Sequence, residues 1–321
     1  MDRPRPDDLG SPSKTAIWAL AGRAIGSRVP EERWRNPDQL AEKLLGPEEI
    51  ALLGEHPLAA ALRDGVDLAN PHPEVLAASV TMLVRTRFID AHLEEAVSGG
   101  AWQIVFLGAG FDTRAYRLRD RIPEVRIFEV DLPATPQWKR RRAQEALGDP
   151  PENLTYVAVD FRQDSLNEKL LEAGYDPSLK TFFVWEGVTM YLTEAAIDST
   201  LQWVARQAPG SCLVFDFASR ELIDLTQEIN ETPGFQPQTD AEYAAAARAR
   251  NMARWGEPWI FGMDPDQVAA FLAERGLELG ETMSFASREA AQRYLDWNEA
   301  LPFPPQIRAM YLMADAAVPA S

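Results

Sequence analysis

The sequence predicts an α/β protein with a mostly parallel sheet and a helical N-terminal extension. Apolar residues recur at helical spacing up to residue 98, which is typical of packed helices. After Gly99-Gly100, short β-rich runs alternate with helical stretches. Such alternation implies right-handed crossovers between parallel strands. The 321 residues suffice for one large domain or two small ones.

The region before the sheet is predicted to contain a tail and then helices. Residues 1–13 are polar and proline-rich, which predicts a flexible tail. Residues 14–98 form the helical extension, with helical apolar patterns at 15–23, 47–62 and 77–97. The remainder of the chain, 99–321, is predicted to form the sheet-containing domain.

Several of the β-rich runs are apolar on consecutive positions, as strands buried on both faces are. Residues 220–262 then break the rhythm, first polar, then alanine-rich, then aromatic. We interpret them as an insertion after the fifth strand, a lid over the carboxyl edge of the sheet. The predicted strands are 103–107, 125–130, 155–159, 181–185 and 213–217, with a candidate final strand at 307–313.

Composition excludes several functional classes. The net charge of −17 disfavours a nucleic-acid partner, and the basic run 139–142 is interpreted as a helix face beside Glu145. A single cysteine, Cys212, excludes a disulfide framework and a cysteine metal cluster, and no other spacing indicates a metal. Neither a signal peptide nor a membrane-length apolar stretch is found, so we expect a cytoplasmic protein without a membrane partner. No feature sets an oligomeric state.

A glycine loop follows the first strand, with Gly108, Ala109, Gly110 and Asp112 in sequence. Glycines let the backbone turn tightly and approach a ligand closely. The alternative is a simple strand-to-helix turn. The second strand ends in Asp131, 23 residues after Gly108, near the spacing of about 20 expected for a carboxylate that binds ribose hydroxyls. Asp131 could equally cap a helix.

The position that would hold a third glycine is occupied by Thr113. A nicotinamide cofactor usually needs that glycine beneath its pyrophosphate. S-adenosylmethionine has no phosphate, so Thr113 favours a methyltransferase over a dehydrogenase. At the next strand ends, Asp160 and Phe161 could bind adenine, and Glu186 could lie near the sulfonium and amino group.

These strand ends resemble the leucine carboxyl methyltransferase family, in particular its bacterial branch of S-adenosylmethionine-dependent O-methyltransferases, which includes polyketide-acting members. The resemblance covers about 15–219 and is most specific at 107–118, where the sequence is LGAGFDTRAYRL. Supporting segments are 84–90, 128–131 and 186–192.

The resemblance implies a class I methyltransferase fold, Rossmann-like, with a helical N-terminal extension and a lid. It also implies an arginine that pairs with the methionine carboxylate, for which we favour Arg85 over Arg87, since two positions along a helix point away from each other. The predicted cofactor-binding residues are Arg85, Gly108, Ala109, Gly110, Asp112, Asp131, Leu132, Asp160, Phe161 and Glu186.

No catalytic base is evident. His56, His72 and His92 all precede the first strand, and each is more typical of a surface or cap residue. A hydroxyl acceptor usually needs a base, whereas a carboxylate does not, which favours a carboxylate. Weak candidates for a base are Tyr191 and Tyr243. Cations that could face an anionic acceptor are Arg114, Arg117, Arg220 and Arg254, each more typical of a solvated or paired residue.

Together these features predict an O-methyltransferase that acts on a carboxylate or hydroxyl of a small-molecule acceptor. A carboxyl methyltransferase for a protein C-terminus is an alternative, although the aromatic segment 254–261 suggests a small closed pocket. An NAD-type oxidoreductase is disfavoured by Thr113. A non-catalytic protein that binds S-adenosylmethionine is the remaining alternative.

Overall fold

A computed structural model describes residues 13–67, 70–160, 164–298 and 311–320, without the side chains of 240, 241, 244, 253 and 254. The chain forms two compact units, Asp8–Asp176 and Pro177–Ser321, which we call the N-terminal and the C-terminal unit. Residues 1–12 of the predicted tail and Phe161 lie outside the described residues.

The segment before the first strand is helical, and it belongs to the N-terminal unit. The 26-residue α5 packs against α1, where Gly22 allows a close approach to Ala78 and Met82. The helices of this unit are α1 (Lys14–Ser27), α2 (Ala41–Leu44), α3 (Pro47–Leu52), α4 (Pro57–Asp64), α5 (Pro73–Ser98), α6 (Arg114–Arg117), α7 (Ala134–Leu147) and α8 (Leu166–Glu172).

Three parallel strands complete the N-terminal unit, in the spatial order β3-β2-β1. They are β1 (Gln103–Leu107), β2 (Arg126–Asp131) and β3 (Leu154–Ala158). All five residues of β1 are buried, as expected for a strand covered on both faces. Leu107 is paired with Val130, so the loop after β1 begins beside the end of β2.

The C-terminal unit contains four strands in the order β4-β5-β7-β6. They are β4 (Thr181–Trp185), β5 (Cys212–Ala218), β6 (Glu278–Ser284) and β7 (Tyr311–Ala317). The β4–β5 pair is parallel, whereas β7 runs antiparallel to both β5 and β6. The helices are α9 (Glu194–Val204), α10 (Arg220–Glu231), α11 (Asp240–Trp255), α12 (Val268–Ala273) and α13 (Arg288–Leu295).

The first five strands begin and end within one residue of their predicted positions, whereas the last two differ from prediction. The final strand is described as Tyr311–Ala317, which extends past its predicted end at 313, and residues 307–310 of the prediction lie outside the described residues. β6 was not predicted. β6 has an irregular register between Leu279 and Thr282, and a side chain at Gly280 would collide with Asp315. A bulge that contains glycine disrupts the two-residue alternation by which a strand is found in sequence.

The described helices include none that is both long enough and apolar enough to cross a bilayer.

Candidate functional site

The loop after β1 requires its glycines for conformation. Gly108 has a φ of 73° and Gly110 a φ of 50°, both in the left-handed region that favours glycine. The N–H groups of Gly108 and Ala109 donate to the carbonyl of Val130 at 2.8 and 2.9 Å. The loop is thereby fixed against the end of β2, with its backbone exposed to a close approach by a ligand.

Asp131 is hydrogen-bonded to the same loop. Its Oδ2 accepts from the N–H of Gly110, and its Oδ1 from the N–H of Leu132, both at 2.7 Å. Desolvation raises the pKa of Asp131 above its ordinary value, against the effect of these two bonds. The side chain of Thr135 also donates to this carboxylate. The lone pair that remains can accept from a ribose hydroxyl. The adjoining Leu132 side chain is 47% exposed and offers an apolar contact, so this corner fits a nucleoside.

A buried network ties the loop to the N-terminal helices. Arg23 donates from Nε to Asp38 and from Nη2 to the carbonyl of Phe111, each at 2.8 Å. The hydroxyl of Thr113 donates to the other oxygen of Asp38 at 2.5 Å. The residue that replaces the third glycine therefore has a structural role. Residues 23 and 24 fit the family pattern in the sequence, but no role for Arg23 was predicted, and Asp38 was not singled out, since helical spacing does not mark a buried arginine as a loop anchor.

Asp112 takes part in a second buried network. Its Oδ1 accepts from the N–H of Arg114 at 2.7 Å, and its Oδ2 pairs with the Arg114 guanidinium. Arg114 and Arg117 both donate to Asp90 at 2.8 Å. Burial raises the pKa of Asp90, but the two arginines outweigh it and hold that pKa below its usual range. Arg114 and Arg117 are thus ion-paired with carboxylates of their own unit.

The two arginines of α5 have different environments. Arg85 is buried, with Nη2 3.2 Å from the sulfur of Met82. Arg87 donates to the backbone carbonyls of Glu32 and Arg35 at 3.0 and 3.1 Å. Arg87 is therefore used to hold the N-terminal helices together, which favours Arg85 as the cofactor-binding arginine.

The remaining predicted cofactor residues follow β3 and β4. Asp160 is buried after the end of β3, where its N–H donates to the carboxylate of Asp164 at 2.8 Å. The loop at Gly108, Asp131 and Asp160 therefore lie at the carboxyl ends of three adjacent parallel strands. In open α/β sheets, ligands bind at this edge. Glu186 follows β4 in the C-terminal unit and is half-buried.

All three histidines have structural roles in the N-terminal unit. His56 and His72 are the N-caps of α4 and α5, where each Nδ1 accepts a backbone N–H at 3.2 Å. His92 places Nδ1 2.8 Å from the carbonyl of Phe88 within its own helix. The interpretation of His56 and His72 as caps is confirmed.

A buried ion pair underlies the cofactor side. Lys139 donates to Glu129 at 2.6 Å, and each side chain is 1% exposed. Desolvation raises the pKa of Glu129 to about 7, although Lys139 opposes the shift. Residues 139–142 lie on α7, as predicted, and Arg142 pairs with Glu145 at 2.7 Å. Lys139 instead points inward to Glu129, so the four basic residues do not share one face.

Aromatic side chains gather at the carboxyl end of β4 and β5 in the C-terminal unit. The ring of Trp259 is stacked with that of Tyr311 at a centroid distance of 5.9 Å, and Tyr191 meets it edge-on at 6.3 Å. The N–H groups of Ile260 and Phe261 donate to the carbonyl of Met190, at 2.8 and 3.2 Å. Residues 259–261 of the predicted lid are therefore tied to the turn that follows β4.

Asp216, a residue of β5, organises that turn. Its Oδ1 accepts from the N–H of Gly187 at 2.6 Å, and its Oδ2 accepts from the hydroxyl of Tyr311. The second base candidate, Tyr243, is 60% exposed on α11, whereas Tyr191 belongs to the aromatic group. Sequence analysis missed Asp216 because it lies within an otherwise apolar strand.

Comparison with known proteins shows the family. The sequence profile of leucine carboxyl methyltransferases matches residues 16–205. The chain belongs to the leucine carboxyl methyltransferase family. A candidate S-adenosyl-L-methionine-dependent methyltransferase of Streptomyces coelicolor is 40% identical over 213 residues, 65% of this chain and 70% of that protein. Another from Mycobacterium avium is 30% identical over 279 residues, which span 86% and 82% of the two chains.

The fold has a solved counterpart in a candidate methyltransferase from Thermobifida fusca. The two structures superpose with a TM-score of 0.53 at 15% identity, over 98% of this chain and 97% of the other. This likeness shows the Rossmann-like α/β fold of class I methyltransferases. As a member of its family, the protein is a methyltransferase that uses S-adenosylmethionine.

Proposed function

We propose that this methyltransferase acts on an oxygen of a small acceptor, with a carboxylate preferred over a hydroxyl. The main observation is the distribution of histidine. Residues 93–321 contain none, and His56 and His72 serve as helix caps. A hydroxyl acceptor usually loses its proton to a base such as histidine, whereas a carboxylate is already anionic.

When bound, S-adenosylmethionine supplies a methyl group whose bond to sulfur breaks as the bond to the acceptor oxygen forms. On the cofactor side, the Gly108 loop approaches the ligand, Asp131 accepts from ribose, and Arg85 pairs with the amino-acid carboxylate. On the acceptor side, the aromatic side chains exclude water and orient the acceptor, which are the main requirements for an in-line displacement.

The C-terminal unit favours a small, flat acceptor over a protein tail. The ring centroid of Trp259 lies within 6.3 Å of the centroids of Tyr191 and Tyr311. The ring centroid of Phe285 lies 5.5 Å from that of Tyr311. Such rings offer flat apolar contact area together with polar edges. An extended peptide would need a longer groove lined with backbone partners.

The test is a transfer assay with tritium-labelled S-adenosylmethionine and matched panels of aromatic carboxylic acids and phenols. A methyl ester releases methanol in mild alkali, whereas a methyl ether does not. We expect alkali-labile label on the acids, and none with the Asp131→Ala variant. Label on phenols alone would contradict the carboxylate preference. Label only on peptides, at their C-terminal carboxylate, would contradict the small acceptor.

A further inference from the structure

Arg248, on α11 of the C-terminal unit, has an unusual environment. Its guanidinium carbon lies 4.3 Å from the centroid of the Trp259 ring, in a stacked cation–π contact. The side chain is half-buried, and desolvation lowers the pKa of its guanidinium. The groups that oppose this shift are the hydroxyls of Tyr311 and Tyr191.

Two neighbouring donors in this contact have no acceptor. The Nη1 atom of Arg248 and the Nε1 atom of Trp259 are both buried, and neither has a hydrogen-bond partner within the described part of the chain. An unsatisfied buried donor costs about 1–3 kcal/mol, and more if it is charged. The cation–π contact does not satisfy these N–H groups, because it supplies no hydrogen-bond acceptor atom to either of them.

Arg248 also differs from the arginines around it. Arg275 in the same unit pairs with Asp198 at 2.5 Å, and Arg293 pairs with Glu281. Arg248 forms no such pair with a carboxylate of the described residues. A guanidinium whose Nη1 atom is buried without an acceptor is destabilising, which favours a ligand that supplies the negative charge.

The position of the pair agrees with a role in acceptor binding. Trp259 directly precedes Ile260, whose N–H donates to Met190 in the turn after β4. The same turn begins beside Glu186, and its Gly187 is held by Asp216. The unpaired donors therefore lie at the carboxyl edge of β4 and β5, where an α/β fold binds its ligands.

We propose that Arg248 and the indole N–H of Trp259 bind the anionic oxygen group of a planar acceptor and determine the preference for an acid. The inference rests on the proposed function and adds the residue that selects the acceptor. The guanidinium supplies charge, the indole N–H supplies a second donor, and the adjoining rings contact the flat body of the acceptor. The alternative is a purely structural stack of Arg248 on Trp259.

The test uses two probes of the same shape, 2-naphthoate and its neutral analogue 2-naphthamide. Calorimetry measures their binding to the protein loaded with S-adenosylhomocysteine. We expect the wild type to bind the acid at least about tenfold more tightly than the amide. Arg248→Met keeps the length of the side chain and should abolish this preference. Arg248→Lys keeps the charge but loses the planar donor pair, and should retain only part of it.

The matched control is Arg250→Met, an exposed arginine two residues along the same helix. It should leave the preference for the acid unchanged. An equal loss in this control would show a general charge effect, and an unchanged preference in Arg248→Met would show a structural stack. Either result overturns the inference, as does failure of the wild type to prefer the acid. Circular dichroism of each variant establishes that it is folded.

The inference and the proposed function fail in different ways. If the transfer assay labels neutral phenols and Arg248→Met leaves that activity intact, the inference is wrong while O-methylation stands. If the wild type prefers naphthoate through Arg248 but labels no oxygen acceptor, the anion site stands and the proposed function is wrong.

Discussion

The glycine loop of the N-terminal unit and the surroundings of Trp259 in the C-terminal unit differ in how their hydrogen-bond donors are used. Around the glycine loop, Gly110 is bonded to Asp131, and Thr113 and Arg23 share the carboxylate of Asp38. Around Trp259, two buried donors lack a partner among the described residues. The glycine loop is therefore fixed by its own hydrogen bonds, although Nε of Arg117 and Oε1 of Glu129 in the same unit also lack a partner among the described residues. The contact of Arg248 with Trp259 instead leaves a buried donor unused on each of its two side chains.

The buried cations show the same difference. Lys139 lies against Glu129 in a pair that is closed to solvent on both sides. Arg248 has an aromatic ring and two phenol hydroxyls in place of a counter-ion. One cation stabilises the fold, and the other is retained for binding at the expense of stability.

The largest effect is expected for Lys139→Met. The substitution leaves the Glu129 carboxylate buried without its partner, which should lower the free energy of unfolding by about 3–5 kcal/mol. Urea denaturation at pH 8 measures it. The double variant Lys139→Met/Glu129→Leu should recover most of the loss, since it removes both charges. A loss below about 1 kcal/mol in the single variant would contradict the importance of the pair.

The same pair predicts a dependence of stability on pH. Glu129 has a pKa of about 7 in the folded protein, above its ordinary value of 4.5, because it is desolvated. Between these values the folded state holds a proton that the unfolded state releases. The stabilisation that results from this proton is therefore complete below pH 4.5. It is lost as the pH rises through 7, which lowers the free energy of unfolding by up to about 3 kcal/mol.

Urea denaturation across pH 4.5–8 measures this dependence, with Glu129→Gln as the comparison. The amide does not titrate, so this contribution should vanish from its stability profile. An identical slope in both proteins would show that other groups cause the dependence.

Asp131→Ala tests the organisation of the cofactor side. The variant loses the acceptor of the Gly110 and Leu132 N–H groups together with the proposed ribose contact. We expect affinity for S-adenosylhomocysteine to fall by about 100-fold. Calorimetry measures it, with the exposed Arg250→Met as control. Affinity within threefold of the wild type would refute the ribose role.

The smallest effect is expected for the stability of Arg248→Met without ligand. Removal of an unpaired buried cation should change the free energy of unfolding by no more than about 1 kcal/mol, and in the stabilising direction. Thermal and urea unfolding measure this change, with Lys139→Met measured in parallel for comparison. A loss as large as that of Lys139→Met would show that Arg248 is a structural residue, and the contrast between the two sides would disappear.

The sequence predicted those parts of the fold that depend on local pattern. Strands β1 to β5 are found within one residue, because consecutive apolar positions identify buried parallel strands. The bulged β6 was missed, because Gly280 and its register shift remove the alternation. The common position of Gly108, Asp131 and Asp160 was predictable, because the ends of adjacent parallel strands meet at one edge of a sheet.

The sequence by itself determined the family, the glycine loop and the absence of histidine after residue 92. Only the tertiary structure decided which charged residues are paired. Lys139 and Arg248 are both basic residues on amphipathic helices, and nothing near them in sequence distinguishes them. Lys139 meets Glu129 from another element, whereas Arg248 meets the Trp259 ring. The cost of a buried charge depends on such neighbours, which the chain brings together only when it folds.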